Sequence, residues 1–245
     1  MQAALSVKGV GKRLAGRAVL RGVSFSVAPG EAVGLVGLNG AGKTTLLRAL
    51  LDLAPPDEGR IEIFGQSARA PAARAALAYL PERFTPPGFA TGHEILAHLL
   101  ALHGLAFDVA AAAREAEALE LEPAALARPA GQYSKGMAQK LGLVACVLAR
   151  RPLLVLDEPT SGLDLHARQL FHRRLAALRA EGAALFFSSH AVEDLEALDA
   201  RLVVLHEGVV RFSGSAAALR ARYGQPSTDT DTNTGASLLA CLGVK

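Results

Sequence analysis

The sequence predicts an α/β fold built on a parallel β-sheet. Short, unbroken apolar runs recur at residues 32–36, 153–156, 184–188 and 202–205, and the later runs are separated by longer stretches with helical spacing. A strand buried on both faces shows such a run, and strands that alternate with helices join in parallel through right-handed crossovers. With 51% hydrophobic residues, the 245-residue chain can bury a substantial core, as one large domain or a domain with a subdomain.

The first third of the chain predicts mostly strands around a single helix. Pro29-Gly30-Glu31 form a turn before the apolar run at 32–36, and the prolines that begin at Pro55 end the helix that follows. We expect strands at residues 5–8, 19–27, 32–36, 60–64 and 76–80, and a helix at 43–53.

The composition of the chain changes in its middle part. Residues 91–150 are rich in Ala and Leu with helical spacing, which predicts a helical insertion before the strand pattern returns. The expected elements are helices at 91–105, 108–121, 134–150, 165–180 and 191–198, and strands at 153–156, 184–188 and 202–205. The polar, repetitive stretch QPSTDTDTNTGAS at 225–237 predicts a disordered linker, and the last eight residues are too few to assign.

Charge and cysteine content narrow the class of protein. The net charge is +3 with no dense Lys/Arg block, so a solvated surface explains the basic residues and no nucleic acid partner is expected. The two cysteines, Cys146 and Cys241, form no metal-binding spacing and fit a reduced, cytoplasmic chain. Neither a signal peptide nor a run of about 18 apolar residues is present, so membrane spans would come from another protein.

A glycine-rich segment after the run at 32–36 matches the P-loop pattern G-x-x-x-x-G-K-[ST]. Glycines let backbone N–H groups converge on an anion, and the helix that follows points its positive dipole end at the same place. Lys43 can reach the β- and γ-phosphates of a nucleotide, and the Thr44 hydroxyl can bind Mg²⁺. The alternative is an ordinary turn. The predicted nucleotide-binding residues are Gly37, Asn39, Gly40, Ala41, Gly42, Lys43, Thr44 and Thr45.

Two acidic residues follow the apolar run at 153–156, where ligands bind at the carboxyl end of a parallel strand. Asp157 is predicted to hold Mg²⁺ through water, and Glu158 to accept a proton from an attacking water molecule. The alternative is that these acids cap a helix, because Pro159 and Thr160 come next.

Three further motifs resemble those of ABC-type ATPases. Tyr133-Ser-Lys-Gly-Met resembles the signature motif, Asp157-Glu-Pro-Thr-Ser-Gly-Leu-Asp164 resembles the Walker B motif joined to the D-loop, and Ser188-Ser-His190 resembles the switch-histidine loop. The resemblance implies a P-loop NTPase with a RecA-like parallel core, an N-terminal antiparallel β region and an inserted helical subdomain. It places the ABC ATPase domain at 1–224, with the helical subdomain at about 91–150 and a polar tail at 225–245.

The resemblance also implies a mechanism. Two subunits, identical or different, would pair head to tail around two ATP molecules, each with Mg²⁺. The signature residues Ser134, Lys135, Gly136 and Met137 would cover the ATP of the other subunit, since Ser134 begins a helix whose N–H groups suit a phosphate. His190 would contact the γ-phosphate, and Asp164 would act in the D-loop. The alternatives are that Ser134 is only a helix cap and that His190 is structural.

The chain departs from the family pattern at two positions. Glu82, in Tyr79-Leu-Pro-Glu82, stands where relatives carry a glutamine, and a carboxylate there can bind Mg²⁺ but cannot donate a hydrogen bond. Leu14 stands where relatives place an aromatic residue on adenine, which predicts weaker base discrimination. The Y-L-P-E and Y-S-K-G-M forms resemble the subgroup that serves ABC-2 type exporters.

The segment FTPPGFATG at 84–92 carries two phenylalanines among prolines and glycines, which is unusual for a solvated loop. In the family this region meets the coupling helix of the membrane partner. Phe84 and Phe89 are therefore candidates for that dock, and the alternative is local packing onto the helical subdomain.

The function predicted from these motifs is an ATP-hydrolysing subunit that drives a separate transmembrane permease, in the direction of export. Such a subunit would be cytoplasmic and peripheral on the inner face of the cell membrane. The main alternative is a soluble ABC ATPase that acts on nucleic acid or the ribosome, although such proteins tend to carry two cassettes or a long coiled coil. The signature motif disfavours a kinase or GTPase, and the presence of Lys43, Asp157, Glu158 and His190 disfavours an inactive regulator.

Overall fold

A computed structural model of the chain describes residues 2–223, so the predictions for 225–245 lie outside the described residues. This part of the chain forms two β-sheets and a set of helices. The strands are β1 (Leu5–Leu14), β2 (Arg17–Val27), β3 (Ala32–Val36), β4 (Glu58–Ile63), β5 (Gln66–Ser67), β6 (Leu77–Leu80), β7 (Leu153–Leu156), β8 (Ala184–Ser188), β9 (Arg201–His206) and β10 (Val209–Gly214). The α-helices are α1 (Lys43–Leu50), α2 (Pro71–Arg74), α3 (Gly92–Leu102), α4 (Val109–Ala118), α5 (Lys135–Leu148), α6 (Leu165–Ala180), α7 (Val192–Ala197) and α8 (Ala216–Tyr223).

The larger sheet has six strands in the order β10-β9-β3-β8-β7-β6. Strands β9, β3, β8, β7 and β6 pair in parallel, and only β10 joins in the antiparallel sense within the described residues. The carboxyl ends of the parallel strands therefore meet at one edge, which is where ligands bind in sheets of this kind. The predicted α/β fold with a parallel core is confirmed.

The smaller sheet is the antiparallel region near the N-terminus, in the order β2-β1-β4-β5, as predicted. Strand β1 is longer than the predicted 5–8 and continues to Leu14. The glycines that follow Lys8 do not end the strand, because Gly9 takes a positive φ of 60° and the pairing with β2 shifts register between Val7 and Val10. An irregular register of this kind lets a strand continue past a residue that breaks regular pairing.

The core lies on both faces of the parallel sheet. Alternate residues of β8 point to opposite sides, so that Leu185 and Phe187 pack with the helices, whereas Phe186 packs toward the antiparallel sheet. On that second side, the rings of Phe25 and Phe186 stack with their centroids 5.3 Å apart. Burial on both faces explains why the central strands have unbroken apolar sequences.

The segment between β6 and β7 consists of α3, α4 and α5 with two short 3₁₀ turns, Pro123–Ala127 and Ala130–Gln132. The three α-helices begin one residue later than predicted, because Thr91, Asp108 and Ser134 are N-caps whose side chains accept from backbone N–H groups. Helix α3 also ends earlier than predicted, since Gly104 takes a left-handed φ of 69° and the chain turns there.

Several elements were not predicted from the sequence: α2, β5, β10, α8 and the two 3₁₀ turns. Strand β10 forms a hairpin with β9 through Glu207 and Gly208, both of which take positive φ. A two-residue turn of this conformation suits the twist of a hairpin. No helix within residues 2–223 combines the length and apolar character that crossing a bilayer requires.

Candidate functional site

The P-loop segment connects the buried strand β3 to α1 and passes close to neighbouring backbone. A Cβ atom on Gly37 would lie 2.4 Å from the carbonyl oxygen of Leu205, so a larger residue does not fit there. Gly42 takes a φ of 108° and is the N-cap of α1, without a side chain to accept from the N–H groups of the first turn. These N–H groups therefore have no capping oxygen and are suited to an anion.

Lys43 is buried at the start of α1, and its ammonium turns back over the loop. Nζ donates to the carbonyl oxygen of Gly37 at 2.7 Å and lies 3.3 Å from Nε2 of His190. Burial lowers the pKa of Lys43, and the nearby carboxylates of Glu158 and Asp157 act in the opposite direction. Of the other residues predicted to bind nucleotide, Thr44 is exposed and Thr45 half-buried in the first turn of α1, and Asn39 and Gly40 are exposed in the loop, whereas Ala41 is buried.

Asp157 and Glu158 leave the carboxyl end of β7 beside the P-loop. A single hydroxyl holds both: Ser188 Oγ donates to Asp157 Oδ1 at 2.6 Å and accepts from the backbone N–H of Glu158 at 2.9 Å. Glu158 takes a positive φ of 45°, which turns the chain sharply after the strand. The backbone N–H of Asp157 donates to the carbonyl oxygen of Leu80, at the end of the neighbouring strand β6.

The carboxyl group of Glu158 has a pKa near neutrality, as the predicted role of general base requires. Burial is the main reason that its pKa is raised to about 7; the charge of Lys43 opposes this shift and that of Asp157 contributes to it. Its buried Oε1 has no regular hydrogen bond within the described residues, although Nε2 of His190 lies 3.2 Å away. A base whose pKa lies near the working pH transfers a proton efficiently.

His190 and Glu82 complete the charged cluster. His190 follows β8, and burial together with the charge of Lys43 lowers its pKa. Glu82 is exposed after β6, and its negative charge raises the pKa of both Asp157 and Glu158. The structure therefore brings five predicted residues to one edge of the sheet: Lys43, Glu82, Asp157, Glu158 and His190.

The other predicted residues lie elsewhere. Ser134 Oγ accepts from the N–H of Met137 and caps α5, and no hydrogen bond or ion pair in the described part of the chain joins 134–137 to the charged cluster. Asp164 caps α6 by accepting from the N–H of Ala167 at 2.7 Å. Leu14 is 45% exposed at the end of β1. Within one subunit, Ser134 and Asp164 thus act as helix caps, which for Ser134 is the alternative expected from the sequence.

The two candidate phenylalanines differ in their surroundings. Phe84 is partly buried against the core, close to Gly142 of α5, so local packing explains it. Phe89 is 88% exposed. Local packing, the alternative for this segment, therefore describes Phe84, whereas the ring of Phe89 is exposed to a partner, and the docking role stays a prediction.

Sequence reasoning missed two buried polar residues beside the site. Ser188 holds the acidic pair, and Gln139 on α5 accepts from the N–H of Phe84 at 3.2 Å while it donates to the carbonyl oxygen of Pro81 at 3.2 Å and of Pro159 at 3.5 Å. Gln139 thus ties the loop of Glu82 to the loop of Glu158. A glutamine at a buried position of an apolar helix was the signal that the sequence offered.

Comparison with known proteins decides the family. The family model described as ABC transporter matches residues 20–161, more than half of the chain. The chain belongs to the ABC transporter family. It is 38% identical over 227 residues to Nod factor export ATP-binding protein I of Paraburkholderia xenovorans (strain LB400), a match that covers 89% of this chain and 73% of that protein. The protein of the same name from Burkholderia orbicola (strain AU 1054) is 39% identical over 223 residues, with 89% and 72% covered.

Solved structures agree with this assignment. A structure of the ATP-binding subunit of an ABC transporter superposes with a TM-score of 0.83 at 30% identity and covers 98% of this chain and 99% of that chain. A bacterial Atm1-family ABC exporter with ATP bound gives 0.76 at 25% identity, with 100% of this chain and 42% of that chain covered. This ABC protein is therefore an ATP-binding ATPase of the transport-coupled class, and its relatives do not support the alternative of an ATPase acting on nucleic acid or the ribosome.

Proposed function

We propose that this ABC ATPase binds ATP with Mg²⁺ and energises export through a separate membrane-spanning permease. The observation that carries the proposal is the charged cluster beside the P-loop, in which Lys43, Asp157, Glu158 and His190 lie within hydrogen-bonding reach of one another or of shared partners. A cation, two carboxylates and an imidazole beside an anion-binding helix end are the groups that phosphoryl transfer to water needs.

ATP would lie along the P-loop, with its phosphates on the backbone N–H groups of 37–45. The ammonium of Lys43 has three N–H donors, and one of them donates to the carbonyl oxygen of Gly37. Donors therefore remain for the β- and γ-phosphates. The adenine ring of ATP would lie toward Leu14, whose side chain offers an apolar contact but no aromatic ring.

The residues present fit Mg²⁺, provided that the nucleotide supplies part of its coordination. Within residues 2–223 no three His, Cys, Asp or Glu side chains form a metal-binding group, and Mg²⁺ characteristically takes only one or two protein ligands plus phosphate oxygens and waters. Asp157 and Glu158 are half-buried neighbours whose pKa values are raised, mainly by burial, and a cation beside them would favour their charged forms. We infer that Thr44, Asp157 and Glu82 hold Mg²⁺, in part through water, and that it neutralises charge on the phosphates.

Hydrolysis would then depend on Glu158 as the general base for the attacking water and on His190 at the γ-phosphate. Within residues 2–223 no hydrogen bond or ion pair joins residues 134–137 to the charged cluster of their own chain, which supports the proposal that Ser134, Lys135, Gly136 and Met137 serve a second subunit. The functional unit would be a dimer, of two copies or of paired cassettes, with Asp164 in the D-loop at the interface.

Export follows from the relatives, which are named for Nod factor export. The permease would hold this subunit on the inner face of the cell membrane, and Phe89 is the exposed apolar residue we assign to that contact. The cargo would be selected by the permease.

The mechanistic experiment compares Glu158→Gln with the wild type. The variant should hydrolyse ATP at least roughly 100-fold more slowly while it keeps both phosphate-binding elements, and should form a dimer that light scattering detects only with ATP. The control Glu193→Gln alters an exposed carboxyl on α7 and should behave like the wild type. A monomer at saturating ATP would contradict the dimer model or the role of Glu158.

The transport experiment is affinity purification from detergent-solubilised membranes of the source organism, with mass spectrometry of the proteins that co-purify. We expect a polytopic membrane protein in stoichiometric amount, lost from Phe89→Ser and retained by Leu53→Ser, which changes a leucine that is 65% exposed and lies outside the 84–92 segment. Recovery of ribosomal or DNA-bound proteins without a membrane protein would contradict the transport proposal and leave the ATPase activity standing.

A further inference from the structure

Asp194, on the short helix α7, is a buried carboxylate outside the charged cluster. It is 2% exposed, and its Oδ2 accepts two hydrogen bonds, from Thr160 Oγ1 at 2.7 Å and from Ser189 Oγ at 2.6 Å. Its Oδ1 lies 2.7 Å from Nε2 of His172 on α6. One carboxylate on α7 therefore joins the loop after β7, helix α6 and the end of β8.

Two of these segments carry the residues assigned to catalysis. Thr160 is two residues after Glu158, and Ser189 directly precedes His190. Ser189 Oγ also accepts from the N–H of Ala191 at 3.0 Å, so the turn that bears His190 is held on both sides. The Oδ2 atom of Asp194 thus binds both the loop that follows Glu158 and the loop that carries His190.

The third contact orients the carboxylate. His172 is nearly buried, and its Nε2 can donate to Oδ1 when this nitrogen carries the proton, which leaves Oδ2 facing the two loops. The three hydrogen bonds stabilise the charged form, so the pKa of Asp194 lies below its ordinary value in spite of burial. A buried ion pair seldom stabilises a fold more than apolar residues of similar volume would. The buried carboxylate of Asp194 therefore points to a role in positioning its partners rather than in stability.

We propose that Asp194 is a positioning residue for ATP hydrolysis, which holds the loops of Glu158 and His190 in register through Thr160 and Ser189. The proposal rests on the roles assigned above to Glu158 and His190. In the structure, Nε2 of His190 and Oε1 of Glu158 lie 3.2 Å apart. This distance depends on the relative position of two loops, and no backbone hydrogen bond joins residue 160 of one loop directly to residue 189 of the other. Displacing either loop by about 1 Å is enough to lower a catalytic rate roughly 100-fold.

The test uses variants that remove one hydroxyl and keep its volume. Thr160→Val deletes the donor to Asp194 with nearly the same shape, and Thr160→Ser restores it. We expect Thr160→Val to lower kcat at least roughly tenfold while KM for ATP changes less than about threefold, and Thr160→Ser to recover most of kcat. Thermal unfolding and the stoichiometry of ATP binding, measured on the same samples, report the folded and nucleotide-competent fraction.

A double-mutant cycle tests whether the two loops act through one atom. Ser189→Ala should also lower kcat, and the double variant Thr160→Val/Ser189→Ala should lose much less than the product of the two single effects, because both hydroxyls bind the same oxygen of Asp194. His172→Leu should resemble them, and His172→Gln, which keeps a neutral donor, should recover part of the loss.

Two results would overturn the proposal. The first is kcat within about twofold of the wild type in Thr160→Val and Ser189→Ala. The second is a loss of activity that follows only the folded fraction, with multiplicative effects and no recovery in Thr160→Ser, which indicates a structural role. Glu158→Gln is assayed in parallel, because unchanged hydrolysis in that variant contradicts the assigned base and leaves the result for Asp194 separately readable.

Discussion

Replacement of Glu158 by glutamine should stabilise the nucleotide-free protein at alkaline pH. The carboxyl group is mostly buried, its Oε1 has no regular hydrogen bond in the described chain, and burial raises its pKa from 4.5 to about 7. The folded protein therefore holds the proton of Glu158 more tightly than the unfolded chain does. Glutamine has nearly the same shape and carries no charge to be desolvated.

The pKa shift sets the magnitude and the pH window. A pKa raised from 4.5 to about 7 means that ionised Glu158 disfavours folding by about 3 kcal/mol. The penalty is absent below about pH 4.5, grows as the pH rises toward 7, and is complete above that value. Glutamine must itself place an amide in a pocket with few partners, so we expect a gain of about 2 kcal/mol at pH 8, which corresponds to roughly 4–8 °C in Tm.

The assay is thermal unfolding of nucleotide-free, metal-free protein between pH 5 and pH 8, with Glu193→Gln as the control for removal of an exposed carboxyl. The difference in Tm between Glu158→Gln and the wild type should increase with pH, and the control should show no such trend. A difference that stays constant from pH 5 to pH 8, or a variant less stable than the wild type at pH 8, would refute the argument that burial raises this pKa.

Three further predictions concern single positions. Leu14→Tyr should tighten ATP binding by about 0.5–1.5 kcal/mol in equilibrium titrations, because it adds a ring for adenine, and the wild type should prefer ATP over GTP by less than about 100-fold. Gly37→Ala should abolish ATP binding or lower Tm, since its Cβ would lie 2.4 Å from the carbonyl oxygen of Leu205. In a Cys241→Ser background, Cys146 should react with a maleimide only after unfolding, because it is buried and its pKa is raised to about 12; rapid labelling of the folded protein would contradict this.

The parts of the site that form local motifs were predictable from sequence. The P-loop lies within nine consecutive residues, and the acidic pair follows its strand directly, so spacing and chemistry place them together. The central strands β3, β7, β8 and β9 also followed from their unbroken apolar runs. Phe84 and Phe89 mark the limit of this reasoning, because both lie in the same segment and only the packing of the folded chain separates the partly buried ring from the exposed one.

The ties that hold the site were not predictable, because they join residues far apart in sequence. Ser188 Oγ reaches Asp157 across 31 positions, and Thr160 Oγ1 reaches Asp194 across 34. Serine and threonine are common in every kind of segment, so neither their identity nor their spacing signals such a contact. The pairing of the strands determines which of these residues meet, and this pairing depends on the whole sheet.

The end of β8 shows why the sheet edge controls the site. Strands β7 and β8 are parallel neighbours, with Leu156 opposite Phe187, so the two chains leave the sheet side by side. The consecutive residues Ser188 and Ser189 then take different partners, the first Asp157 and Glu158, the second Asp194. Ser188 is the last residue of β8 and Ser189 follows it, so two neighbouring serines hold Glu158 through its backbone N–H and, through Asp194, the loop that follows Glu158. A change in the register of β8 would displace both ties together, so the geometry of Glu158 and His190 depends on strand pairing as much as on the loops that carry them.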